Sequence, residues 1–539
     1  MKRHHYFFFF WVLIINSSLC AQQWHKIYFP NMPNGTSAVY ESYDKGYVMG
    51  GDFVSSTGIP NRGLIIKTNI NGEMLWYKTI SIVDNLTSIW DINQTFDNGF
   101  ILTGTTGAQT NQHNPFIMKL NKCAELEWCQ IYSTPNANDE WGQSIWPIPG
   151  GYIALFYVYG DDPVNERIWL YRLNNTGDLT WKKLYTLSDT MAYFTEGLNL
   201  QITTNFTFII NGICYYPDPG SPWPQILRPF IVKTDSTGSL DWELPWKVVN
   251  NESFHGESYN SVIDNQGLIY SSARHIVYDI ANPGDKPCLI KTDTDGHEVN
   301  YTNFFLESEM GTTYTINWLA DSTLALGYGW SDTISNDATI GVLKCDRQGN
   351  ILQIKPMFTN QYLFSDAATT FDNKLLLVGG FWDGIWRSHA YKLNSNLVYD
   401  SIYNHPYVYD SLCPHPIPSD TIPLNCVLVG TEEHQKEEER TEMLVYPNPA
   451  DDVLQVVLPN QIKTTQKSSI FNITTYRAKW EATTLEVYNL FGRRVYSRVL
   501  KYGEKEITLN VSGWQAGMYL IRLSYHDQTV ASGKVVVRR

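Results

Sequence analysis

The sequence predicts an all-β protein, a seven-bladed β-propeller followed by an immunoglobulin-like β-sandwich, and three observations carry that prediction. A unit of about 54 residues recurs seven times. Inside each unit apolar and polar residues alternate with period two between Gly-containing turns, the signature of β-hairpins. Near residue 443 the repeat stops and the charge balance reverses. Counting Lys+Arg against Asp+Glu gives 25 to 47 over residues 22–442 and 13 to 7 over residues 443–539.

The N-terminus reads as a secretory leader over residues 1–21. Lys2 and Arg3 precede an unbroken apolar run from Tyr6 to Ile15, too short to span a bilayer, and small and polar residues follow. Cleavage is expected after Ala21. Leu19, where a lipoprotein signal has a small residue, argues against lipid attachment at Cys20. Nothing later in the chain approaches the length of a transmembrane helix.

The propeller is expected over residues 22–405. IIKTNINGEMLW from Ile65, LYRLNNTGDLTW from Leu170 and IVKTDSTGSLDW from Ile231 align without gaps: an apolar pair, a basic residue, Gly five positions on and Trp nine positions on. Weaker copies surround Lys119, Lys291, Lys344 and Lys392; Ala124 replaces the Gly of the first, and the Trp is lost from the other three. Each unit opens with a hairpin such as SIWDINQTFDNGFILTG, so four strands per unit follow. A lone four-stranded sheet cannot bury both faces, whereas sheets packed radially can. Trp76, Trp128, Trp181 and Trp242 are accordingly read as packing between blades, and the recurring Lys and Arg as structural ion pairs. Trp24–Tyr28, matching the WKKLY segment at Trp181, is expected to close the ring in preference to the segment from Val398.

This repeat resembles those of large secreted bacterial surface proteins and, loosely, the quinoprotein and sialidase propellers. It departs from both enzymes: Asp235 lies three residues before Gly238 and Trp242 four after, one step off either motif. Neither chemistry carries over.

After Tyr403 a Pro- and Cys-containing stretch leads into EEHQKEEER, and residues 406–442 are read as a linker. In an oxidising compartment, Cys123 with Cys129 and Cys413 with Cys426 are the pairings favoured by proximity in sequence. Residues 443–539 follow, opening with Tyr446, Pro447, Asn448, Pro449 and Ala450, turning at Gly492 in LEVYNLFGRRVYS, continuing through Gly517, Met518 and Tyr519, and ending in GKVVVRR. This pattern closely resembles the type A C-terminal sorting domain of the bacterial type IX secretion system. The resemblance implies recognition by that machinery and export through the periplasm to the cell surface or medium. The stretch from Gln461 to Thr483 is longer than the family's usual connection.

No cofactor, metal or catalytic motif is present: there is no HExxH, GxSxG, GxxxxGK or helix-opening GxGxxG. Asp293, Asp295 and Gly296 hint at a calcium loop, but Phe304 stands where an EF-hand needs Glu. The acidic body excludes nucleic acid as a partner. The expected function is binding or display of a glycan or extracellular protein, with a polysaccharide hydrolase or lyase as the alternative, since carboxylates drawn from separate blades leave no local signature. Connections between second and third strands are long and aromatic, with Trp223, Trp382 and Trp386. They share one end of a propeller with Glu140, Glu196, Glu257 and Asp366, so an acidic, aromatic-rimmed mouth for a neutral or cationic ligand is expected there.

Overall fold

The computed structural model describes residues 24–430 and 444–538, with breaks at 55–59, 82–85, 109–111, 134–136, 161–166, 186, 188–193, 217–225, 247, 250–251, 278–283, 305–308, 333–337, 360–361, 383, 405–406, 423–425, 447–448, 458–465, 468–471, 474–482, 490–492, 501–505 and 526–527. The expected leader, residues 1–21, lies outside the described residues. Among those described there is no helix. Two compact units divide the chain, Met1–Gly430 and Thr431–Arg539.

In the first unit, alternation and tight turns fold the strands into seven antiparallel meanders. Six use four consecutive strands. The seventh has Tyr362–Thr369, Leu375–Trp382 and Trp386–Leu393, and takes its fourth from the N-terminus, where His25–Tyr28 pairs with Trp386–Leu393. The rival segment from Val398 makes only an isolated bridge, Tyr399 with Leu393. The seven first strands are Asn34–Glu41, Leu86–Gln94, Ala137–Ile148, Phe194–Ile202, Gly256–Ile263, Glu309–Trp318 and Tyr362–Thr369. They neighbour one another in cyclic order, the last lying against the first. Apolar clusters fill the gaps: Trp76 and Ile80 of the first meander meet Ile89 and Phe116 of the second. Met49 and Ile66 meet Leu376 and Val378 of the seventh together with Trp24.

The repeated Gly and Trp prove to be two halves of one contact, offset by a unit. Trp128, Trp181 and Trp242 lie against Gly177, Gly238 and Gly296 of the next meander, where a Cβ would come within 2.9, 2.5 and 2.7 Å of the ring. Gly238 is also at φ +74°, backbone that a residue with a Cβ rarely adopts. The seventh unit has lost its Trp, and Trp24 supplies it to Gly72 of the first. The bonding repeats too: the indoles of Trp24 and Trp242 donate to the carbonyls of Ile70 (2.9 Å) and Thr294 (3.0 Å), and the hydroxyls of Tyr28 and Tyr185 to those of Gly72 (3.0 Å) and Gly238 (2.6 Å). The basic residues of the repeat are structural. Lys67, Lys119, Lys344 and Lys392 reach from the third strand to Asp44, Asp97, Asp321 and Asp372 in the first turn, at 2.5, 2.9, 2.5 and 2.9 Å.

Two expectations are corrected. The first is the linker: much of residues 407–430 is a strap on the outer edges of the first two meanders. Asp420–Ile422 runs parallel to Met74–Ile80, and Val427–Gly430 parallel to Leu126–Ser133. Asp410 accepts a hydrogen bond from the Trp76 indole at 3.0 Å, and Ile422 enters the core between those meanders. Prolines forbid a long ladder but not short ones, and an outer strand's unpaired edge gives short ones a place to dock. The charged run of residues 432–440 lies outside the described residues.

The second correction is the disulfide pairing. The same four cysteines are joined, but as Cys123–Cys413 and Cys129–Cys426, across 290 and 297 residues, with Cα atoms 5.1 and 4.5 Å apart. Cys123 stands in a hairpin turn and Cys129 on the strand after it, each facing a different part of the strap. Closeness in sequence did not place their side chains together.

In the second unit, one sheet holds Leu444–Tyr446, Val453–Val457 and Glu506–Asn510, and the other orders Arg494–Val499, Thr483–Asn489, Gly517–Tyr525 and Gln528–Val537. The two share one apolar core that includes Leu454, Val456, Leu485, Val487, Ile521 and Val535.

Candidate functional site: a bulge-lined channel

Each first strand has an irregularity at the same step of its register. One residue is skipped between Thr36 and Ala38, Ile89 and Asp91, Gly142 and Ser144, Gly197 and Asn199, Ser258 and Asn260, Thr313 and Thr315, and Phe364 and Asp366. A bulge leaves its extra residue unpaired and re-aims the side chain. The seven extra residues are Ser37, Trp90, Gln143, Leu198, Tyr259, Tyr314 and Ser365, and all seven line one cavity of about 620 Å³ enclosed by the first strands.

The wall of this channel is knitted between neighbouring meanders. A first strand is the inner edge of its sheet, so its outward N–H and C=O groups need partners from elsewhere. Asp91 accepts the backbone N–H of Ile145 at 2.7 Å and the Ser144 hydroxyl at 2.9 Å, while the Asn93 amide donates to the Ile145 carbonyl at 2.7 Å. Asn317 donates to the Ala367 carbonyl at 2.8 Å. Asp366 accepts the Val39 N–H at 2.9 Å. Burial pushes Asp91 up to about 6 and, with Asp91 adding its charge, Asp366 up to about 7. Asp366, expected on the ligand face, thus lines the cavity while bonding to the adjoining inner strand.

Glu196 and Glu257 occupy one equivalent position in consecutive meanders, two residues before the bulge. Glu196 lines the cavity, and the Tyr215 hydroxyl donates to it at 3.5 Å. Burial pushes its carboxyl up to about 7, Glu257 adding to the rise and the Tyr215 bond opposing it. Glu257 accepts from Arg274 and from the Tyr259 hydroxyl, and the other arm of Arg274 holds Asp285 at 2.9 Å. The rings of Tyr259 and Tyr314 lie 5.3 Å apart. Trp90 is 41 % exposed, its indole donating to the Thr105 hydroxyl at 3.1 Å.

The other expected residues do not converge on the cavity. Glu140 is buried in the third meander, within electrostatic range of Tyr171 and Lys182. Trp382 and Trp386 face each other across the last hairpin of the seventh meander, ring centres 5.7 Å apart, outside the cavity lining. Trp223 lies outside the described residues. Missing from the sequence reading were Trp90, Tyr259 and Tyr314, because strict alternation assigns a face to every residue and a bulge breaks the count. The signal available was an aromatic at the same step of three first strands, Trp90 in IWDI, Tyr259 in SYNS and Tyr314 in TYTI.

In the second unit Tyr519 is buried against Trp514, centroids 4.9 Å apart, and its hydroxyl donates to the Gln515 carbonyl at 2.8 Å. Tyr446 is exposed and donates to Glu506 at 2.9 Å. Ala450, at the end of the opening motif, bridges Val537 of the last strand, which runs back along Gly517. Pro449 is exposed; Pro447, Asn448 and Gly492 lie outside the described residues.

Residues 444–538 match the family model of the secretion system C-terminal sorting domain. That tail engages the type IX secretion machinery and marks the protein for export to the cell surface or extracellular space. No described helix is long and apolar enough to cross a membrane. Comparison with curated proteins finds no match. Among solved structures, a protein of unknown function from Dyadobacter fermentans is similar at TM-score 0.40 and 11% identity, over 57% of this chain and 97% of that one. An α-L-arabinofuranosidase from Fusarium graminearum gives TM-score 0.38 and 8% identity over 70% and 96%. An endo-arabinase from Bacteroides thetaiotaomicron gives 0.27 and 11% over 47% and 92%.

Proposed function

We propose that this exported protein is a glycan-binding module, a seven-bladed β-propeller carried outward by an immunoglobulin-like sandwich domain after loss of a leader at Ala21. The observation that supports this most is the channel, where seven bulges turn side chains into one cavity. Its lining joins aromatic faces, Trp90, Tyr259 and Tyr314, to amide and hydroxyl groups, Gln143, Asn199, Ser37 and Ser365. Aromatic faces stack on the apolar face of a sugar ring while amides and hydroxyls bond its edge. The acidic groups favour a neutral ligand over an anionic one.

The test is retention of the protein on a panel of neutral polysaccharides: xylan, arabinan, mannan and β-glucan. Trp90→Ala with Tyr314→Ala is expected to weaken retention on the best of them by about tenfold or more, the loss of one or two stacking contacts. Trp382→Ala with Trp386→Ala, outside the cavity, is expected to change it little. The reverse ranking would move the site to the hairpin end of the seventh meander. Retention on none would set the glycan reading aside.

A further inference from the structure

We infer that the cavity is hydrolytic as well as binding, with Glu196 as general acid and Glu257 as the carboxylate that activates water for cleavage of a neutral glycosidic bond. This rests on the glycan reading and names the chemistry of that same site. The geometry carries it. Consecutive meanders place two carboxylates at one register position, Glu196 in the cavity lining and Glu257 just behind it, bonded to the Tyr259 that lines it. Their surroundings differ in the way acid–base work requires. Glu257 accepts from the Arg274 guanidinium and from the Tyr259 hydroxyl, and Arg274 is itself held by Asp285. Glu196 has no cation within bonding distance among the described residues and only the long Tyr215 contact, so burial and its charged neighbour keep its proton on near neutral pH.

The step balances without a cofactor. The Glu196 proton passes to the glycosidic oxygen as the bond from that oxygen to the anomeric carbon breaks. Water adds to the anomeric carbon and gives a proton to Glu257, which returns to Glu196 through solvent. One glycosidic bond and one water become two hydroxyl-bearing products.

The experiment scores retention and release of reducing ends separately, on the same panel. Wild type is expected to release reducing ends from the polysaccharide that retains it, with a rate that falls as pH rises through about 7, where Glu196 loses its proton. Glu196→Gln keeps an acceptor for Tyr215 and is expected to lose at least about a hundredfold in rate, with retention within about twofold and no remaining descent through that pH. Retention with no reducing ends from wild type overturns the hydrolytic assignment and leaves the binding reading standing. Release that survives Glu196→Gln overturns the assignment of the acid. Absence of retention and of release on every polysaccharide defeats both readings.

Discussion

At the scale of single residues, the pairing of Gly and Trp explains why both recur although neither touches the other in its own unit. Gly238→Ala forces a methyl toward the Trp181 ring and strains backbone at φ +74°, so a loss of about 1–3 kcal/mol in urea unfolding is expected. In Trp181→Ala that clash is absent, and the added cost of the Gly238 change should shrink to the backbone part alone. A double-mutant cycle measures it; strict additivity would mean that the two do not share a contact. Asp366 offers a second test. Its folded-state pKa of about 7 lies above the unfolded value of about 3.9, so the folded chain binds this proton more tightly and stability falls as pH rises between the two. Asp366→Asn keeps an oxygen for the Val39 N–H and has no proton to lose. The variant is therefore expected to gain on wild type between about pH 4 and pH 7, and no further above that, in paired denaturation curves. A constant difference would mean that the carboxyl is not held protonated.

Among the elements, the strap changes the stability picture most. By chain entropy, a bond closing a loop of 290 residues restricts the unfolded chain by about 6 kcal/mol, and the second, closing only about 20 further residues, adds about 3. Cys426→Ser is thus expected to cost about 3 kcal/mol while Cys123–Cys413 remains, and peptide mapping under non-reducing conditions should recover the two long-range pairs. Recovery of Cys123 joined to Cys129 would contradict the fold at this edge. The same elements mark what could be read from sequence. The four strands per unit were legible because alternation and turn residues act locally. The partnership of Trp24–Tyr28 was legible because it repeats WKKLY. The strap was not, because Asp420–Ile422 and Val427–Gly430 are too short for a periodic signal and draw their order from outer strands far away in sequence. The bulges were hidden for a different reason: each shifts its strand by one residue against a neighbour, a relation between two segments that neither displays alone.

For the whole molecule, the N-terminal strand and the sorting tail are expected to fail in different ways. Removing residues 22–28 takes away the fourth strand of the seventh meander together with the Trp24–Gly72 contact, and a fall in thermal midpoint with early proteolysis of that meander is expected. Removing residues 519–539 leaves the first unit untouched and takes the last strands of the sorting tail. That protein is expected to fold, with both strap disulfides formed, and to accumulate in the periplasm; its undiminished appearance in the medium would show that export is specified elsewhere.

The strap also decides how the first unit answers a pull. Chain beyond Gly430 leaves from the outer rim of the second meander, away from the strands around the channel. Tension on it can peel only the four residues Val427–Gly430 before it reaches Cys426, where a covalent bond hands the load to Cys129 in the adjoining strand. The non-covalent seam made by His25–Tyr28 lies in the seventh meander, off that line of force. A pull on the tail would therefore load the second meander through the strand that carries Cys129, and reducing that disulfide would let the strap peel further, back toward Cys413.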